Sequence, residues 1–83
     1  MRFKYFAWVR ERIGRTEEEI EVPSAVATAG DLIEWLKRRV PEYEHALAEP
    51  SVIRIALDRV HAERGKPIAG VLEVALFPPM TGG

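Results

Sequence analysis

The sequence predicts an α+β fold in which one amphipathic helix packs across a mixed sheet. Three observations lead there. Two strand-like segments open the chain and two or three more close it. Between them, residues 29–40 combine helical periodicity with a capping motif. Most strands offer one apolar face and the helix one apolar stripe, so a single two-layer core accommodates them all.

The first strand is read over residues 3–9, Phe3-Lys4-Tyr5-Phe6-Ala7-Trp8-Val9, an aromatic-rich run. Strand alternation sends Phe3, Tyr5, Ala7 and Val9 to one face and Lys4, Phe6 and Trp8 to the other. Apolar side chains on both faces mark a central strand. A short helical turn through Arg10-Glu11-Arg12-Ile13, stopped by Gly14, follows it. The second strand is read from Thr16 to Val22. There Glu17, Glu19 and Glu21 alternate with Glu18, Ile20 and Val22; the acidic run reads as a solvated face, and on an edge strand such charges oppose edge-to-edge aggregation. The short connection around Arg15 makes these two strands an antiparallel hairpin.

Pro23 and Ser24 break the second strand. The helix runs from Ala29 to Val40, with Thr28 as N-cap and Asp31 three residues on as a capping-box partner. At 100° per residue, Ala29, Leu32, Ile33, Leu36 and Val40 share one face, with Trp35 at its margin. Lys37, Arg38 and Arg39 complement the negative end of the helix dipole, and this basic triplet reads as a helix terminus rather than an anion site. Pro41 ends the helix. Glu42 to Pro50 is an irregular or short helical connection. In the third strand, Val52 to Leu57, Ile53, Ile55 and Leu57 oppose Val52, Arg54 and Ala56. A short strand over 59–62 and a turn near Gly65-Lys66-Pro67 lead to the last strand, Val71 to Phe77. There Leu72, Val74 and Leu76 face one way, and Glu73, Ala75 and Phe77 the other.

Composition narrows the function. A length of 83 residues fits one domain, and 47% hydrophobic with 30% charged residues argues against disorder. The formal charge of −1 gives no basic excess for nucleic acid or an anionic membrane. The chain has no cysteine, so disulfides, thiolate metal sites and thiol catalysis are excluded, and a reducing cytoplasmic setting is expected. The N-terminus lacks the apolar run of a signal peptide, and no stretch reaches the roughly 20 apolar residues needed to span a bilayer. His45 and His61 stand isolated and read as surface or structural residues. No nucleophile motif, Gly-rich phosphate loop or metal cluster is visible.

The tail carries the chemistry. After the last strand come Phe77-Pro78-Pro79-Met80-Thr81-Gly82-Gly83. Two prolines end strand pairing and stiffen the exit. The expected division is a folded domain over 1–77 and a flexible tail over 78–83, whose six residues reach roughly 20 Å if extended. Gly82 and Gly83, having no side chain, can enter a narrow channel where a Cβ would clash. The reactive group is then the Gly83 carboxylate, a poor electrophile until activated, for instance by adenylation. A terminal Gly-Gly arises by chance in about one chain in 200, so by itself it is a weak signal.

Two stretches make the chain resemble the small subunit of molybdopterin synthase, a ubiquitin-like β-grasp family. They are Phe6-Ala7-Trp8-Val9-Arg10-Glu11-Arg12-Ile13-Gly14 and Glu73-Val74-Ala75-Leu76-Phe77-Pro78-Pro79-Met80-Thr81-Gly82-Gly83. The Phe-Pro-Pro lead into Gly-Gly is the specific part. The resemblance implies that an ATP-dependent adenylating enzyme activates Gly83 and that a sulfur donor converts it to a thiocarboxylate. The large subunit then accepts the tail, and sulfur passes to cyclic pyranopterin monophosphate. Two small and two large subunits are implied, with no permanently bound cofactor on this chain, which acts as a carrier rather than a catalyst. Pro78, Pro79, Thr81 and Gly82 form the tail. Phe6, Trp8 and Phe77 are expected on the sheet face away from the helix, where parallel pairing of the first and last strands joins them into a partner surface that includes His61. Asp58 stands where the family often has Asn, and Ala69-Gly70-Val71 where a polar turn is common. Other implied roles are a sulfur carrier for thiamine, tRNA thiolation or tungsten-pterin synthesis, and a protein modifier joined through Gly83 to lysines.

Overall fold

The computed structural model describes residues 1–39 and 53–79. Its elements in chain order are β1 (Arg2–Tyr5), α1 (Ala7–Ile13), β2 (Glu17–Glu19), α2 (Ala29–Lys37), β3 (Arg54–Leu57), β4 (Val60–Ala62) and β5 (Glu73–Phe77). The strands form one mixed sheet in the order β2-β1-β5-β3-β4. β1 and β5 pair in parallel, and every other neighbouring pair is antiparallel. The last strand is therefore the central one, held between β1 and β3.

The opening strand is shorter than its composition suggests. It ends at Tyr5, and Ala7, Trp8 and Val9, expected in the strand, instead begin α1. Tertiary burial decides against β-propensity here. Val9 and Ile13, four residues apart, lie on one helical face and are both buried. Phe6 is the N-cap, with an extended backbone. Gly14 closes the helix as expected, at φ 84, its N–H donating to the Arg10 carbonyl at 2.8 Å. β2 pairs antiparallel with β1 and lies at the sheet edge, as expected, but spans only Glu17–Glu19. Ile20 beyond it is buried and still donates its N–H to the Met1 carbonyl.

α2 begins where its sequence signals place it but ends at Lys37 with Arg38 as C-cap, short of the expected end at Val40 and Pro41, the Arg38 and Arg39 N–H groups donating three residues back in a closing turn. Thr28 Oγ1 accepts from the Asp31 N–H at 3.2 Å, and the Asp31 carboxylate accepts from the Thr28 N–H at 3.3 Å. Ala29, Leu32, Ile33 and Leu36 are buried, and Trp35 packs at the margin. Val40, Pro41, the 42–50 connection and Val52 lie outside the described residues. The first-turn N–H groups of Ala29 and Gly30 donate to the carbonyls of Lys66 and Arg64, both at 2.9 Å. That contact is close enough that a Cβ on Gly30 would meet Arg64 Cβ at 3.2 Å.

One core joins the two layers. Phe3 and Tyr5 of β1, Val74 and Leu76 of β5, and Ile55 and Leu57 of β3 meet Leu32, Ile33 and Leu36 of α2 and Val9 and Ile13 of α1. The expected alternation therefore holds on each of these three strands. Leu72 is the exception. It precedes β5 rather than lying in it and is 77% exposed.

β3 and β4 form a two-residue hairpin through Asp58 and Arg59, at φ 49 and 71. Both values lie in the left-handed region that a type I′ turn requires. The Asp58 carboxylate accepts from the N–H groups of Leu72 and Glu73 at 3.0 and 2.9 Å, and the Asp58 N–H donates to the Glu73 carbonyl at 2.8 Å. One side chain thus ties the hairpin turn to the start of the central strand.

Candidate functional site

The candidate site is the C-terminal end of β5, where the tail leaves the sheet. Strand register places its surroundings. Tyr5 pairs with Leu76, and the Phe6 N–H donates to the Leu76 carbonyl at 3.1 Å, so Phe6 comes beside Phe77 at one strand spacing of about 4.8 Å. Arg54 lies directly opposite Phe77 on the other flank. Pro78 and Pro79 follow, half-buried, without an N–H to extend the ladder. Thr81, Gly82 and Gly83 lie outside the described residues.

Alternation puts Tyr5 in the core and Lys4 and Phe6 on the opposite, open face. The register then carries one row across that face: Glu17, Lys4, Ala75, Ala56 and His61. The next row toward the tail holds Phe6, Phe77 and Arg54. Two alanines thus floor the middle of the open face, with aromatic residues at the tail end. Phe6 is 43% exposed and Phe77 half-buried. His61 is exposed on the edge strand β4 and lines, with Arg54, a shallow groove of about 420 Å³.

The expected aromatic trio is therefore a pair. Trp8 does not sit on β1. It belongs to α1, packs half-buried against the core, and carries the Arg12 guanidinium over its ring at 4.4 Å. The correction follows from the early end of β1, which removes Trp8 from strand alternation. Sequence reasoning overlooked the tethering role of Asp58, for which an Asp opening a two-residue turn was the available signal, and the placement of Arg54 beside Phe77, for which only register provides one.

Electrostatics separates the two ends of the open face. Away from the tail, cations are paired. Arg2 meets Glu17, and also Glu19 at 3.7 Å; Lys4 meets Glu73 at 3.3 Å; Arg59 approaches Glu73 at 3.9 Å. The Met1 ammonium donates to Glu19 at 2.8 Å, the leading cause that lowers the Glu19 carboxyl below its usual range. On the core side of β1, the Tyr5 hydroxyl donates to Glu18 at 2.7 Å, and Arg15 holds the other Glu18 oxygen at 3.1 Å. Burial, then the hydrogen bond and charge of Glu18, push the Tyr5 phenol far above its ordinary range. Among the described residues, no three His, Cys, Asp or Glu side chains gather as a metal site, and no helix is long and apolar enough to cross a membrane.

A mixed sheet crossed by a helix, with parallel first and last strands and a glycine-ended tail continuing the central one, defines a ubiquitin-like β-grasp protein. The chain belongs to the ThiS family, a ubiquitin-like sulfur-carrier family whose model matches residues 3–83. The molybdopterin synthase sulfur carrier subunit of Dictyostelium discoideum is 31% identical over 78 residues, covering 94% of this chain and 90% of that protein. A Pyrococcus furiosus protein described as molybdopterin converting factor, subunit 1, is 30% identical, with 95% of each chain covered and a TM-score of 0.74. The small archaeal modifier protein 1 of Haloferax volcanii is 28% identical, covering 96% of this chain and 97% of that one, with a TM-score of 0.72. The resemblance to the molybdopterin synthase small subunit, carried most clearly by two stretches of sequence, thus extends over 94% of the chain.

Proposed function

We propose that this chain carries sulfur as a thiocarboxylate on Gly83 and delivers it to a molybdopterin synthase large subunit, for transfer to cyclic pyranopterin monophosphate. The observation that carries this reading is the position of β5. The strand that leads into Phe77-Pro78-Pro79 and Gly82-Gly83 is the central one of the sheet, so the arm over 78–83 starts from a strand paired on both sides. The similarity to the Dictyostelium discoideum sulfur carrier subunit supports the pterin branch.

In this reading ATP, used by an adenylating enzyme, converts the Gly83 carboxylate into an acyl adenylate. Sulfur from a donor then displaces AMP, leaving the thiocarboxylate. Pro78 and Pro79 stop strand pairing, Thr81 lies in the arm, and the absence of a Cβ at Gly82 and Gly83 lets it enter a narrow channel. Phe6 and Phe77 contact the partner at the base of the arm, with His61 at the margin. Trp8, on α1, flanks that contact. The catalytic side chains and the pterin pocket belong to the large subunit, which with this chain forms a two-plus-two assembly in the cytoplasm.

Intact mass after incubation with the adenylating enzyme, ATP and a sulfur donor tests the carrier step. The expected result is a terminal mass gain equal to the replacement of one oxygen by sulfur, lost when Gly83 is deleted while the melting transition is kept. An unchanged mass sinks the reading.

A second reading, a protein modifier joined through Gly83 to lysines, is favoured by the likeness to the Haloferax volcanii modifier. It predicts covalent ladders in cell extracts, each bearing a Gly83–lysine isopeptide detectable by mass spectrometry of digests.

A further inference from the structure

The two edges of the sheet are built differently. β2 is Glu17–Glu19, with Glu21 just beyond, and its like charges turn a second copy away from that edge. β4, at the opposite edge, is Val60-His61-Ala62, with no acidic or basic guard inside the strand. Leu57 and Val60 close the two-residue turn, and the Asp58 N–H donates to Glu73 on the β5 side. Alternation therefore turns the Ile55 and Leu57 amides toward β4, where they bond Ala62 and Val60. The N–H and carbonyl of His61, between those two, face outward. Val60 shares the helix-side face with Ala62, yet it is 66% exposed while Ala62 is buried. His61, Ala62 and Glu63 also line, with Gly65, Lys66 and Pro67, a shallow recess of about 480 Å³.

We infer that β4 pairs with β4 of a second copy of this chain, antiparallel and centred on His61, so that one sheet runs through both copies. Such a pairing sets positions equally far before and after His61 against each other. The two His61 residues exchange a reciprocal pair of backbone hydrogen bonds. Val60 of each copy lies opposite Ala62 of the other, on the helix side, where the recess beside Ala62, Gly65 and Pro67 receives the exposed side chain. Arg59 of each copy lies opposite Glu63 of the other, so both contacts occur twice, as two-fold symmetry requires. Glu63 is exposed and makes no ion pair among the described residues. Arg54 and Arg64 share a groove with Glu63, and Lys66 shares the recess, but none of them pairs with it. Asp31 stands near those cations, because the Arg64 and Lys66 carbonyls hold the first turn of α2. The contact of Arg59 with Glu73 is long, at 3.9 Å, and exposed, so it competes weakly. A three-residue edge strand makes the association weak and reversible. Phe77 is level with Arg54, at the Glu63 end of β4, so the two-fold sends the two β5 strands out in opposite directions and leaves both exits open. The inference is independent of the carrier reading.

Sedimentation equilibrium of the full chain, at concentrations from about 10 µM to about 1 mM, measures the association. The expected result is a monomer–dimer equilibrium with a Kd of about 50–500 µM, the range of a small interface. Val60→Lys and Arg59→Glu should each weaken it by about tenfold or more, with the melting transition kept, since both side chains are exposed in the single chain. Combining Arg59→Glu with Glu63→Arg keeps the net charge and reverses both ion pairs, and should return the Kd to within about threefold of wild type. Glu21→Lys, beyond the β2 edge, should leave it unchanged. A wild-type chain that stays monomeric across the whole range overturns the inference. So does a dimer that survives Val60→Lys, that the exchanged pair fails to restore, or that Glu21→Lys disrupts.

Discussion

Tyr5 shows how much one side chain carries in a core this small. Its ring is 1% exposed, and its hydroxyl reaches Glu18 at the rim. Burial and Glu18 raise the phenol's pKa in the folded state, so the sign of its pH dependence is set. Below about pH 10, where the unfolded phenol ionises, both states are protonated and the stabilisation is complete. As pH rises further, only the unfolded chain releases the proton, and stability falls. Chemical denaturation across alkaline pH should show this decline. Tyr5→Phe should remove that contribution to it and lower stability near neutrality by about 1 kcal/mol. An unchanged alkaline slope in Tyr5→Phe would contradict the assignment. Asp58 makes a second residue-scale case. Its carboxylate accepts from two backbone N–H groups at the start of β5, so Asp58→Ala should cost about 1–2 kcal/mol in denaturant unfolding. Asp58→Asn keeps an acceptor oxygen and should cost less than half as much.

At the scale of elements, α1 and the β3–β4 hairpin show local preference yielding to context. Phe6-Ala7-Trp8-Val9 has strand composition, yet the chain turns into a helix after Phe6 and buries Val9 and Ile13 on that helix. Ala7 pays for that turn with φ 52, a conformation that costs a non-glycine residue about 1–2 kcal/mol. The hairpin turn carries the same kind of strain. Arg59 holds φ 71 where a type I′ turn favours glycine, and its ion pair with Glu73 is exposed and long. Arg59→Gly should therefore raise stability by about 0.5–1 kcal/mol, after allowing for the greater freedom of glycine in the unfolded chain. The midpoint of urea unfolding, at unchanged slope, measures it. A lower midpoint would mean that Arg59 makes a contact worth more than the strain.

For the molecule as a whole, the sheet order makes β5 both the structural centre and the base of the arm. Every core strand except β2 and β4 touches it directly. Phe77 is the last residue of that strand, half-buried on the open face beside Phe6. Phe77→Ala should weaken large-subunit binding by about 1–3 kcal/mol in calorimetry and leave the melting temperature of the free chain within a few degrees. Collapse of the melting transition would instead make Phe77 a core residue. Much of this arrangement was legible in the residues. The capping box at Thr28 and Asp31, the stop at Gly14, the edge position of Glu17–Glu19 and the parallel meeting of the first and last strands all follow from local chemistry and the family likeness. The limits of β1 and the place of Trp8 were not, because a run of aromatic and β-branched residues suits a strand and a buried helical face equally well.

The alternation of the strands, the apolar stripe of α2 and the Phe-Pro-Pro-to-Gly-Gly arm can be read along the chain, since each depends on residues within a few positions of one another. Periodicity, capping and proline's missing N–H act locally and are written in order along the chain. The tertiary structure decided what depends on residues far apart in sequence. It set Arg54 against Phe77, brought Phe6 to the base of the arm, bound Asp58 to the amides of Leu72 and Glu73, and moved Trp8 from the sheet to a helix. Strand register and core burial settle such pairings, because a side chain's neighbours across a sheet are fixed by hydrogen-bonded alignment between distant segments rather than by the segment that carries it.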